Sequence, residues 1–203
     1  MNELNVLIYN YPQLEQCRDS ILSLFSILKN SFSKGGKLLF CGNGGSASDC
    51  EHIAGELLKS FNLKRTLTQE DKNKFQNPVL SDKLQYGLPC ISLPSFSSVI
   101  TAVSNDTSPS LIFAQQVFAL GKKDDVLFAL STSGNSENII LAAETAKAIN
   151  MKVVSITGKN PSPLSELSDA SVRVPFSETY RIQELTVPVY HAVCAMLEQE
   201  FFT

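Results

Sequence analysis

The chain has 203 residues, 43% of them hydrophobic and 18% charged, with no tryptophan and a formal net charge of −3. That balance suits one good-sized globular domain spanning 1–203, and it gives no electrostatic basis for binding nucleic acid or an anionic membrane. No apolar run approaches the roughly 18 residues of a membrane span, and the start, MNELNVLIYNYPQLEQ, lacks the basic-then-apolar order of a signal peptide.

The first element, over about residues 1–34, is helical. Ile21, Leu22, Leu24, Phe25, Ile27 and Leu28 recur on a broad apolar face. GGKLLFCGNGG then reads as a short buried strand between glycines, and SASDCEHIAGELLKSF as a helix that Ser46 or Ser48 is placed to cap. From about 62 to 86 the chain is polar and reads as a solvated insertion. GLPCISLP is a second strand, and SSVITAVSNDTSPSLIFAQQVFAL is a helix, a break and a helix. DDVLFALSTSGNSENIILAAETAKAIN gives strand, polar turn and helix; MKVVSITG and ASVRVPF are the last strands. A final helix starts near Glu178, with Pro188 expected to kink it. Short, almost continuously apolar strands alternating with helices define a three-layer α/β sandwich with a central parallel sheet. The five cysteines (Cys17, Cys41, Cys50, Cys90, Cys194) are odd in number and form no CxxC pair. Reduced thiols in a cytoplasm fit that pattern better than disulfides.

Ligands of such sheets sit at the carboxyl ends of the strands, against helix N-termini. Two loops have that position. GNGGS, Gly42 to Ser46, allows close backbone approach to a ligand, although a tight turn alone needs the same glycines. STSGNS gathers the hydroxyls of Ser131, Thr132, Ser133 and Ser136 before a helix, with no lysine or arginine. Phosphate held by neutral donors and the helix dipole is the better reading there. His52 and Glu56 stand one turn apart on one helix face, as a solvated ion pair also would. Gln183 and His191 share the final helix about 80° apart on an ideal wheel. Periodicity leaves open whether both point inward.

CGNGGSASDCEHIAGEL, VSNDTSPSLIFAQQV, LFALSTSGNSENII, MKVVSITGK and RIQELTVPVYHAVCAMLE occur in this order from about Lys37 onward. Together they resemble the sugar isomerase (SIS) domain family, a flavodoxin-like doubly wound fold, and within it the phosphoheptose isomerase branch. The STSGNS loop carries the resemblance to the wider family; His52 and Glu56 combined with Gln183 and His191 carry it to the branch. The resemblance implies interconversion of sedoheptulose 7-phosphate and glycero-manno-heptose 7-phosphate through an enediolate. It implies substrate contacts from Asn43, Gly44, Gly45, Ser46, Glu56, Asn105, Asp106 and Gln183, with Ser131, Thr132, Ser133 and Ser136 cradling phosphate. Glu56 and His191 become the catalytic pair, and His52, Glu56, Gln183 and His191 the ligands of one Zn2+ per subunit. A cytoplasmic homotetramer with active sites at subunit interfaces is implied too, the early helix serving its packing.

The chain departs from the family pattern at Ala47, where a histidine is usual, and at Ser60, where a basic residue is usual, with Lys59 beside it. Tyr180 replaces a frequent aspartate, and the 62–86 segment is longer than its counterpart. Two other functions remain compatible with the sequence. One is a non-catalytic SIS protein that binds sugar phosphates and regulates partners, as a replication-initiation regulator near this branch does. It would not need all four His/Glu/Gln/His positions. The other is an isomerase of a different sugar phosphate.

Overall fold

The computed structural model describes residues 2–203. Five strands form one sheet: β1 (Leu38–Gly42), β2 (Cys90–Ser92), β3 (Val126–Leu130), β4 (Lys152–Thr157) and β5 (Ala170–Arg173). Every neighbouring pair is parallel, in the order β2-β1-β3-β4-β5. Each apolar run expected as a strand is one.

Ten α-helices accompany them among the described residues: α1 (Asn2–Asn10), α2 (Arg18–Ser33), α3 (Gly45–Leu58), α4 (Gln69–Lys72), α5 (Pro78–Lys83), α6 (Ser97–Asp106), α7 (Ile112–Leu120), α8 (Glu137–Ala148), α9 (Pro163–Leu167) and α10 (Thr179–Phe202). Successive strand residues face opposite sides, which explains why the strands are apolar throughout. Leu38, Phe40, Val126 and Phe128 pack with Leu24, Leu28, Ile53 and Val193 under α2, α3 and α10. Leu39, Cys41, Leu127 and Ala129 pack with Val117, Ile139 and Ala143 under α7 and α8. This is the three-layer α/β sandwich expected from the sequence.

The strand order reverses between β1 and β3, so the ligand crevice of this topology lies beyond Gly42 and Leu130. Those are the strand ends from which GNGGS and STSGNS leave.

Three local readings gain detail. The N-terminal stretch is two helices joined by a 3-10 turn at Pro12–Cys17. Its apolar side is occupied within the chain: Leu4, Leu7, Ile21, Leu24 and Leu28 are buried in the core with residues of α10. The final helix is continuous across Pro188, the position at which a kink is expected. The 62–86 segment is mostly exposed, but a bridge between Thr66 and Gln85 closes it, and Arg65 inside it is fully buried.

Candidate active site

The turn after β1 is built on glycine. Gly44 has φ +55°, a region side chains resist. A Cβ on Gly45 would stand 2.5 Å from Gln183 Nε2. Gly44 itself, not Ser46 or Ser48, is the N-cap of α3, and Ser46 is buried in the first turn. The positive φ already turns the chain, and Ser46 N–H donates to Asn43 O at 3.0 Å. Across the crevice Asn43 and Asn138 exchange two amide hydrogen bonds, both 2.9 Å, tying this loop to the first turn of α8.

The turn after β3 folds on its own hydroxyls. Gly134 N–H donates to Ser131 Oγ at 3.2 Å, and the Oγ atoms of Ser131 and Ser136 lie 3.4 Å apart. Ser136 is the N-cap of α8 but makes no side-chain cap bond, and Gly44 has no side chain with which to make one. Thr68, Asn77 and Ser162 do cap α4, α5 and α9. α3 and α8 thus begin without a side-chain cap, as α2, α6, α7 and α10 also do, which leaves first-turn amides open toward the crevice.

Both turns line one cavity of about 310 Å³. Asn43, Gly44, Gly45 and Ser46 form one wall, Ser131, Thr132 and Ser136 another, and Thr179 and Gln183 of α10 a third. Ser133 is turned away: its Oγ accepts from Asn135 N–H, and it lines an adjoining cavity with Lys159. Asn105 and Asp106 end α6, exposed and bonded to each other, and neither lines the loop cavity.

α3 and α10 run side by side in the same direction, Gly45 meeting Gln183 at one end and His52 meeting His191 further along. Ligand atoms of His52, Glu56 and His191 all lie within 4.8 Å of one another. His52 Nε2 is 3.3 Å from Glu56 Oε1 and 3.3 Å from His191 Nε2. Gln183 belongs to the loop cavity, eight residues and about 12 Å along the helix from His191. The structure thus gathers three of the four expected metal ligands and places the fourth with the glycine turn.

Glu56 is mostly buried, and Lys59 Nζ stands 3.5 Å from its Oε2. Lys59 supplies the positive charge that Ser60 lacks; Ser60 Oγ accepts instead from Arg65 N–H. Burial holds His191 below the usual imidazole pKa, the neighbouring His52 adds to that, and Glu56 opposes it. The imidazole is therefore neutral near pH 7. Asp49 and Tyr190, which sequence reading passed over, complete the cluster. Tyr190 Oη lies 2.9 Å from His52 Nδ1 and donates to Asp49 Oδ1 at 3.3 Å. Asp49 precedes His52 by three residues on the same helix face, a spacing that could have marked it; Tyr190 was hidden in the apolar run VPVYHAV.

The SIS domain family model matches residues 98–199. The chain belongs to that family. A phosphoheptose isomerase of Helicobacter pylori is 39% identical over 187 residues, 92% of this chain and 85% of the relative. The solved phosphoheptose isomerase of Francisella tularensis superposes with a TM-score of 0.74 at 30% identity, covering 97% of this chain and 91% of that one. That of Neisseria gonorrhoeae gives 0.71 at 30% identity, covering 88% and 86%. Within the SIS family the chain is an isomerase of the phosphoheptose isomerase branch.

Proposed function

We propose that the chain interconverts sedoheptulose 7-phosphate and glycero-manno-heptose 7-phosphate. The observation that carries this reading is the spacing along α3. A hydroxyl-lined cavity opens at its first turn, and the His52–Glu56–His191 cluster begins seven residues on, roughly 10 Å along the axis. A long sugar with phosphate at one end and carbonyl at the other is matched to two such stations.

The phosphate binds where Ser131, Thr132 and Ser136 meet the uncapped start of α8. Asn43, Gly45 and Gln183 face the chain of hydroxyls. Aldose–ketose isomerisation moves one proton between adjacent carbons and one between their oxygens. Glu56 takes the carbon proton and returns it to the neighbouring carbon. His191, neutral at rest, moves the proton between the oxygens. Lys59 Nζ, 3.5 Å from Glu56 Oε2, places a positive charge beside the base.

The cluster fits zinc. Tetrahedral zinc with ligands at about 2.0–2.1 Å separates neighbouring donor atoms by about 3.3–3.4 Å, close to the 3.3 Å found between the two Nε2 atoms and between His52 and Glu56. His52, Glu56 and His191 would hold the ion, and its chemistry would be polarisation of the sugar's carbonyl and hydroxyl oxygens.

A homotetramer with shared active sites is part of the proposal. Phe96, Leu111 and Phe118 are exposed, α6 buries no residue, and Asn105 and Asp106 stand clear of their own chain's cavity. A cytoplasmic location is supported by five buried, unpaired cysteines; no helix is long and apolar enough to cross a membrane among the described residues. The test is incubation with sedoheptulose 7-phosphate in deuterated water. Aldose product carrying deuterium beside the carbonyl is expected; no product with this or any of a panel of ketose phosphates, zinc supplied, would overturn the reading.

A further inference from the structure

Tyr190 is a buried residue whose hydroxyl sits between two polar groups of α3, Asp49 and His52. Its ring packs edge-on against both imidazoles, with centroids 5.5 Å from His52 and 4.8 Å from His191. A phenol has one proton to give. Here it goes to Asp49 Oδ1, an acceptor that has no proton of its own when ionised. With that proton on Asp49, the phenol oxygen is free to accept from His52 Nδ1, 2.9 Å away. That arrangement puts the imidazole proton on Nδ1 and turns the lone pair of Nε2 toward the space shared with Glu56 Oε1 and His191 Nε2, each 3.3 Å away.

We propose that Asp49 and Tyr190 are positioning residues that lock His52 in the Nδ1–H tautomer, so that Nε2 is a ready metal donor. The inference rests on the reading of His52, Glu56 and His191 as the metal cluster. A histidine ligand whose second nitrogen is held by a chain of hydrogen bonds is both oriented and made more basic, and loss of such an outer partner typically costs about 10–100-fold in metal affinity. Asp49, His52 and Glu56 lie at i, i+3 and i+7 on α3, so one helix face presents the chain's anchor, the donor and the carboxylate together. α10 contributes the relay and the second imidazole as consecutive residues, Tyr190 and His191.

The chain has only two histidines, which makes the tautomer directly measurable. In full-length protein labelled with ¹⁵N in the imidazoles, zinc removed by chelator, His52 should show a protonated Nδ1 and a bare Nε2; His191→Gln assigns the signals. Tyr190→Phe keeps the ring packing and removes the hydroxyl. It should shift His52 toward a mixture of tautomers and weaken zinc, measured by competition with a chelator, by 10–100-fold. Asp49→Ala should move both readouts the same way, because the phenol proton then turns to Nδ1. A His52 tautomer unchanged in both variants, with zinc affinity within twofold of wild type, would overturn the relay. Wild-type protein that binds no zinc would instead remove the metal reading, while the tautomer spectra would still decide whether Asp49 and Tyr190 set the proton on His52.

Discussion

Arg65 and Glu198 form an ion pair that is entirely buried, Nε to Oε1 at 2.7 Å. The pair is fully satisfied: Glu198 also accepts N–H groups of Phe61, Asn62 and Leu63, and Arg65 donates to the carbonyls of Leu57 and Glu56. It therefore fastens the end of α3, where Glu56 sits, to α10. Removing one partner of a buried pair leaves an uncompensated charge and costs about 3–5 kcal/mol. Arg65→Ala is expected to lower stability by that order in urea unfolding and to reduce turnover by displacing Glu56.

The same pair sets a pH dependence. Burial pushes the Glu198 carboxyl up, but the three backbone N–H groups and the Arg65 guanidinium together hold it below the ordinary carboxylate value. A lowered folded pKa means that the stabilisation is present above the unfolded value, about 4.3 for Glu, and is lost as pH falls through the folded one. Unfolding free energy should decline with acidification below that point. Glu198→Gln should flatten the decline, and an equal slope in both proteins would assign it elsewhere.

Glu56→Gln preserves shape and removes the base. General-base contributions are typically 10²–10⁴-fold, so turnover should drop at least about a hundredfold with the fold intact by circular dichroism. A variant as fast as wild type would take the carbon proton away from Glu56.

Both histidines belong to one cluster, so His52→Ala and His191→Ala are each expected to abolish tight binding of a single zinc per subunit. Elemental analysis of dialysed protein decides this. Full zinc content in either variant would mean that the ligands lie elsewhere.

The loop cavity should distinguish a sugar phosphate from the same sugar without phosphate. Calorimetric titration is expected to show binding of the first and none of the second, and Ser131→Ala with Ser136→Ala to weaken it further than Ser133→Ala, whose hydroxyl faces the next cavity. Equal affinity for both sugars would remove the loop from phosphate recognition.

The strands were legible because a sheet covered on both faces demands unbroken apolar runs, as in LLFCG and VLFAL. Loops that follow such strands were legible for the same reason. What stayed hidden depended on pairing across the chain. Arg65 lies in a stretch whose composition reads as solvated, and only its distant partner Glu198 makes burial affordable. Tyr190 sits among apolar residues, and its polar end acquires meaning only when α10 meets α3. Ser46 looked like a cap because the sequence does not show that Gly44 takes a positive φ and starts the helix two residues earlier. The short helix α9 was missed for want of length: five residues leave no periodicity to read.

The bridge between Thr66 and Gln85 brings the two ends of the polar excursion together, and no residue from 67 to 84 is buried. That stretch is an appendix hung on a closed neck, with Arg65 kept on the inner side of it. Deleting it and rejoining the neck with a tight turn leaves α3 and α10 of the chain untouched, and extending it costs little, since loop closure grows only slowly with length. It is where this chain can change in length, or carry a tag or fluorophore, without moving the His52–Glu56–His191 cluster.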